Sequence, residues 1–248
     1  MIKNICWKSD KGLRRDVNQD ALYVDTDERV GIFVIADGMG GYEHGDLASS
    51  YVVAELEKWW KQQDKDMVNS SFDAVVEDMK QCVFRIHEYL YRYMTEQSMV
   101  GGTTLCILLV SEDKYAVLNV GDSRTYVRVK NDVKLLTIDD VWENSSLSKD
   151  YKTIEQKQED ERYGKLTQAV GGVKEISIGT YISKKSKKAR FLMCSDGVYK
   201  YCTDVQIKNI LCRSGLLCTM KKRIKLLEQI VLESGAPDNY SFIIFDMS

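Results

Sequence analysis

Residues 30–41 read Val-Gly-Ile-Phe-Val-Ile-Ala-Asp-Gly-Met-Gly-Gly, an apolar run that stops at Asp37 and is followed by glycine at 38, 40 and 41. A run of this length bounded by glycines predicts a buried strand, which puts Asp37 at its mouth. A carboxylate there, beside backbone that can approach a ligand closely, suits a hard cation or a phosphate. Asp-Gly is also a common turn dipeptide, and on its own the stretch reads more simply as a strand running into a tight turn. Matching carboxylates elsewhere in the chain would decide the matter.

Two further stretches repeat the pattern. Residues 189–196 form an apolar run that ends in Asp196-Gly197, and Asp238-Asn239 precedes the apolar run 240–245, just after Pro237, the only proline. If these strands are neighbours, Asp37, Asp196 and Asp238 converge at one end of a sheet. Gathered like charges repel and raise one another's pKa unless a cation compensates them. Oxygen ligands without His or Cys select Mg²⁺ or Mn²⁺ over zinc, and a carboxylate can bridge two such ions and activate a water between them. The polar segment 9–20 is dense in Arg14, Arg15, Asp16, Asn18, Gln19 and Asp20; the planar fork of Arg15 suits a phosphate.

The remaining chain supplies a scaffold. Apolar spacing predicts helices over 46–61 and from Phe72 to about Tyr93, capped by Ser70 or Ser71, and further helices over 204–211 and 220–232. The period changes to two over 102–110, 114–120, 124–129 and 133–137, which predicts an antiparallel meander with Asp122 in the turn Gly121-Asp122-Ser123-Arg124. Residues 138–165 are polar, and 149–162 are so charged that a solvated helix or mobile surface segment is expected, a candidate lid. His87, in the second helix, reads as structural. The lysines at 184, 185, 187 and 188 read as a soluble turn.

At 248 residues with 44% hydrophobic and 29% charged residues, the chain has the profile of an ordinary soluble protein, and a net charge of -2 gives no field for nucleic acid or an anionic membrane. Seven cysteines without a Cys-x-x-Cys pair predict free thiols in a reducing compartment. Neither a signal peptide nor an apolar run of membrane-spanning length is expected, so the expected location is cytoplasmic. No linker divides the chain, and one domain spanning 1–248 is expected, built of α and β elements segregated in layers.

Together these motifs resemble the metal-dependent protein phosphatases of the 2C type, in their bacterial branch. The matching stretches are Arg15-x-x-Asn18-Gln19-Asp20, Asp37-Gly38-Met39-Gly40-Gly41, Gly101-Gly102-Thr103-Thr104, Gly121-Asp122-Ser123-Arg124, Leu166-Thr167-Gln168-Ala169, Ser195-Asp196-Gly197 and Asp238-Asn239, in the family's order. The resemblance implies an α+β fold, an αββα sandwich of two antiparallel sheets flanked by helices, and a serine/threonine phosphatase using two Mn²⁺ or Mg²⁺ ions with a third, weaker site. It implies that Asp37 bridges both ions with the Gly38 carbonyl on the second, that Asp196 and Asp238 complete the first, and that Asp20 acts through water. Arg15 would bind the substrate phosphate, and Asp122 with Asp196 would hold the third ion. Asn239 would support Asp238, and 138–165 would be the variable flap. A metal-bridging water would attack phosphoserine or phosphothreonine in line, opposing a bacterial serine/threonine kinase; phosphoproteins are the expected partners of a monomer.

Three departures stand out. Met39 occupies the place of a histidine thought to be a general acid in eukaryotic members, with His44 five residues on; Tyr42 stands where Gly-Gly-His is usual; and Asp139-Asp140-Val141 replaces Asp-His-Ser. The alternatives are a degenerate fold serving as a regulatory or interaction domain, and a two-metal phosphoesterase acting on a non-protein substrate.

Overall fold

The computed structural model describes residues 1–27, 29–39, 44–151, 153–186, 188–213 and 219–247. Gly40, Gly41 and Tyr42 of the glycine motif, Lys187 of the basic turn and Cys218 lie outside them. The strands are β1 (Ile2–Asp10), β2 (Asp20–Thr26), β3 (Gly31–Met39), β4 (Gly102–Thr103), β5 (Leu105–Val110), β6 (Lys114–Val120), β7 (Arg124–Val129), β8 (Asp132–Leu135), β9 (Gly179–Lys184), β10 (Ala189–Cys194) and β11 (Tyr240–Met247). They form two antiparallel sheets, ordered β1-β11-β10-β7-β8 and β2-β3-β5-β6-β9, with β4 attached to β3. The helices are α1 (Gly45–Lys61), α2 (Lys65–Ser70), α3 (Phe72–Glu96), α4 (Ile154–Gln158), α5 (Asp196–Tyr199), α6 (Asp204–Cys212) and α7 (Met220–Glu233).

The opening stretch, as β3, explains the layering. Its side chains alternate between two cores: Ile32, Val34 and Ala36 pack with Val52, Leu56 and Trp60 of α1 and Met79 of α3. Phe33 and Ile35 turn the other way, toward Phe191, Met193, Ile243 and Phe245 of the opposite sheet. Phe33 stacks on Phe245 with ring centroids 4.0 Å apart. A strand covered on both faces needs no polar alternation, so its sequence is a continuous apolar run. The far face of the other sheet places Leu192, Phe242 and Ile244 against Ile207, Leu211, Leu227 and Val231 of α6 and α7. The result is the expected αββα order.

One expectation needs correction. The stretch 102–137 is divided: β5 and β6 stay in one sheet, while β7 crosses to the other and pairs with β10 and β8. The crossing runs through Gly121, which adopts φ +95°, open to glycine at no steric cost. Strand periodicity is the same in either sheet, so it carries no sign of the crossing. Within 149–162 the charge reading of a solvated helix is met by α4, none of whose residues is buried. Among its described residues the flap holds the short α4 and two 3-10 turns (Trp142–Asn144 and Ser146–Ser148), the first of them around buried Trp142. Tyr151 meets that ring edge-on at 5.0 Å, and the Arg162 guanidinium lies 4.6 Å from its centroid.

His87 is a tie between α3 and the loop that follows the flap. Its Nδ1 accepts the Gly171 N–H at 3.1 Å and its Nε2–H donates to the Lys174 carbonyl at 3.3 Å, so only the neutral ring serves both bonds. Burial lowers its pKa, outweighing the Lys174 carbonyl and Glu88. A depressed histidine leaves the unfolded chain binding more protons, so its contribution is complete above about pH 6.5 and is lost as pH falls below that value. We expect His87→Gln to cost about 1–2 kcal/mol at pH 8, with the gap to wild type narrowing below pH 6.5 in urea titrations. A gap independent of pH would show that the ring's neutrality is immaterial.

Candidate active site

Asp37 and Asp20 face one another across the β2–β3 ladder as direct register partners. Like charges directly opposite in a sheet are destabilising, so the pair signals function at the expense of stability. Asp196 follows β10 and Asp238 precedes β11, and these strands are antiparallel neighbours. Asp122 sits in the crossing between β6 and β7, and Arg124 pairs with Cys194 of β10. The carboxylates therefore meet at one end of the sandwich from both sheets, which corrects the expectation of convergence within one. Asp37, Asp122, Asp196 and Asp238, together with Arg15, Gly38 and Met39, line a cleft of about 220 Å³, with Asp20 buried behind Asp37. Larger concavities, one of about 330 Å³ beside Tyr51 and Tyr89 and one of about 410 Å³ beside Asp73 and Lys114, lack any such convergence of buried carboxylates.

The electrostatics match a site built for cations. Burial, followed by the charges of Asp20, Asp196 and Asp122, pushes Asp37 well above the usual carboxylate range. Burial pushes Asp20 up to about 7, the charges of Asp196 and Asp238 adding to it and the hydroxyls of Ser241 and Ser195 opposing. Asp20 Oδ2 accepts from Ser195 Oγ at 2.8 Å, while its buried Oδ1 has no hydrogen-bond partner. An orphaned buried carboxylate oxygen is costly unless something else satisfies it, and a hydrated cation does so.

Cations of the chain itself already hold the other carboxylates. The Arg15 fork meets Asp238 twice, Nη2 to Oδ2 and Nε to Oδ1, both at 2.9 Å. The Lys200 ammonium is 2.6 Å from Asp196 and 3.7 Å from Asp122. Among the described residues, no three His, Cys, Asp or Glu side chains are gathered as they stand to hold a metal ion. Asp238 is drawn onto Arg15 and Asp196 onto Lys200, and the oxygen-only donor set with its orphaned oxygen fits hard divalent ions. At Asp122 and Asp196, where a third ion is expected, an ammonium already stands.

Several residues around the carboxylates have supporting roles that their place in the sequence motifs does not reveal. The Thr104 hydroxyl accepts the Asp37 N–H at 3.1 Å and lies 2.8 Å from Ser123 Oγ, joining the Asp37 strand to the Asp122 turn. Tyr199 donates its hydroxyl to Asp122 at 2.8 Å and lies under the Arg124 guanidinium. Ser195 Oγ also accepts the Ser241 N–H. Asn239 donates to the carbonyls of Lys11 and Val17 and accepts from the Gln19 N–H, so its side chain fixes the loop carrying Arg15. The expected support of Asp238 is limited to the Asn239 backbone N–H. The unusual Asp139 and Asp140 anchor the flap: Asp139 takes the Arg124 guanidinium, and Asp140 accepts from the Gly121 N–H and the Gln168 amide. His44 precedes α1 without a side-chain cap.

Comparison with known proteins agrees with the fold. A family model described as Protein phosphatase 2C matches residues 13–227. Serine/threonine phosphatase stp of Listeria welshimeri is 25% identical over 209 residues, covering 83% of this chain and 81% of that protein. Protein phosphatase PhpP of Streptococcus pneumoniae is 27% identical over 248 residues, covering 97% of this chain and 96% of that protein. The crystal structure of serine/threonine phosphatase Stp1 from Staphylococcus aureus superposes with a TM-score of 0.85 at 26% identity, covering 100% of this chain and 96% of that one.

Proposed function

Because the chain belongs to the protein phosphatase 2C family and is a serine/threonine protein phosphatase, we propose that Asp37, Asp196 and Asp238 run its reaction by holding two Mn²⁺ or Mg²⁺ ions. The observation that carries this reading is the convergence of Asp37, Asp122, Asp196 and Asp238 on one cleft, with Asp20 facing Asp37 across the ladder and its second oxygen orphaned. Bound there, the two ions would supply Lewis acidity and activate the attacking water.

The chain's own residues do the rest. Asp37, the Gly38 carbonyl at the end of β3, Asp196 and Asp238 would hold the two ions, and Asp20 would act through water. Arg15 clamps the substrate phosphate with the fork that otherwise rests on Asp238. Met39, half-exposed at the rim, donates no proton, so the leaving serine or threonine oxygen takes its proton from solvent in the open cleft. The substrates are phosphoproteins supplied by a serine/threonine kinase. The setting is a cytoplasmic monomer, one phosphatase domain with its flap over 138–165; among the described residues no helix is long and apolar enough to cross a membrane.

The test is hydrolysis of a phosphothreonine peptide, a nucleotide and DNA, each with Mn²⁺ and with EDTA. Peptide hydrolysis lost in EDTA supports the reading; preference for the nucleotide or DNA favours a non-protein phosphoesterase, and no metal-dependent hydrolysis favours a regulatory domain. Arg15→Ala is expected to raise KM for the peptide and lower kcat/KM about a hundredfold, ~2.7 kcal/mol, the scale of a charged bidentate contact. Because the fork then ceases to compete for Asp238, Mn²⁺ should bind more tightly in the same variant. An unchanged KM, or weaker Mn²⁺ binding, would remove Arg15 from this role.

A further inference from the structure

We propose that Lys200 stands, as a covalently tethered cation, where a third divalent ion would otherwise bind between Asp122 and Asp196, so that this protein takes up two metal ions and excludes a third. The proposal rests on the two-ion reading of the cleft and departs from the third site expected of the family.

Asp196 opens α5, and Lys200 caps its end one turn later, with the Lys200 N–H bonded to the Asp196 carbonyl at 3.0 Å. An acidic residue four positions before a lysine is the favourable order on a helix, and it puts both side chains on one face. The ammonium donates to Asp196 Oδ2 at 2.6 Å and reaches Asp122 Oδ2 at 3.7 Å. Asp122 is almost wholly buried, and the same oxygen also accepts the Tyr199 hydroxyl at 2.8 Å. One oxygen of each carboxylate is thus committed to donors from the Tyr199-Lys200 pair. An incoming divalent ion would need both carboxylates while meeting a fixed positive charge at the same point.

Charge balance points the same way. Asp20, Asp37, Asp122, Asp196 and Asp238 carry five negative charges, which two divalent ions and one ammonium neutralise, leaving Arg15 for the substrate phosphate. A third divalent ion would add charge that nothing in the cleft compensates.

Mn²⁺ uptake decides the proposal without reference to turnover. The metal-stripped protein is dialysed to equilibrium against graded Mn²⁺ and bound metal is counted by mass spectrometry. Wild type should saturate at two ions, Lys200→Met at three, and Lys200→Arg, which keeps the charge, at two. Three ions on wild type, or only two on Lys200→Met, would overturn the role of Lys200 while leaving the two-ion cleft standing. Absence of saturable binding in all three proteins would overturn the two-ion reading and this proposal with it. Lys200 is half-exposed at a helix end, so both variants retain the fold, which circular dichroism checks.

Discussion

Asp37→Asn is expected to lower metal-stimulated hydrolysis of a phosphothreonine peptide by a factor of about 10³ or more, the several kcal/mol that bound metals contribute to the transition state. The same change should make the metal-free protein more stable. Asp37 is held opposite Asp20 in the ladder, and burial with its acidic neighbours pushes its carboxyl well above the usual range. Such a group binds its proton more tightly when folded than when unfolded. The contribution of Asp37 and Asp20 to the metal-free protein is therefore complete below about pH 4 and is lost as pH rises toward 7, the value to which Asp20 is pushed. Asparagine removes one of the charges, so the variant's decline should be shallower and its melting point at pH 7.5 in EDTA higher, by roughly 2–4 °C per kcal/mol relieved. Mn²⁺ at about a hundred times its Kd should stabilise wild type by ~2.7 kcal/mol and the variant far less. Undiminished metal-stimulated turnover, or a variant that melts below wild type in EDTA, would remove Asp37 from the centre of the site.

The elements that sequence patterning recovers best are those whose burial is local and periodic. β3 is legible because both its faces are covered, and α3 because one apolar face repeats along it. The sheet change after β6 is illegible, since it depends on which sheet accepts β7 and leaves the period of two unaltered. Within the site, the carboxylates announce themselves by standing at the ends of apolar runs. Their supports do not: Thr104 holds Asp37 from 67 positions away, and Tyr199 holds Asp122 from 77. Serines, threonines and tyrosines are common enough that only proximity singles them out. Lys200 is different, because the spacing Asp196-x-x-x-Lys200 is visible in the chain once α5 is known to begin at Asp196. The dipeptide Asp-Gly misleads in an informative way. Neither Gly38 nor Gly197 adopts a positive φ, so neither is required by a turn; both are required by what lies against them.

Gly197→Ala should consequently be among the most disruptive single-methyl additions in the molecule. A Cβ built there would lie 1.9 Å from the Asn239 carbonyl oxygen, 2.9 Å from its carbon and 3.3 Å from Tyr240 Cα. All three are backbone atoms at the entry to β11, so no side chain can swing aside; the segment carrying Asp238 must move away from the one carrying Asp196. Overpacking of this kind costs ~1–3 kcal/mol or more, which lowers the melting point by roughly 2–4 °C per kcal/mol in a chain of this size. Function should suffer beyond the stability loss, because the displaced pair is the one proposed to share a metal ion. We therefore expect weakened Mn²⁺ binding and a large fall in kcat/KM at temperatures where the variant is still folded. Gly179→Ala is the control: its Cβ would meet nothing closer than the Asn119 carbonyl oxygen at 3.4 Å, ordinary van der Waals contact on an edge strand, and it should leave melting point and activity almost unchanged. If Gly197→Ala behaved like that control, the close approach of α5 to the chain entering β11 would have no part in setting the metal site.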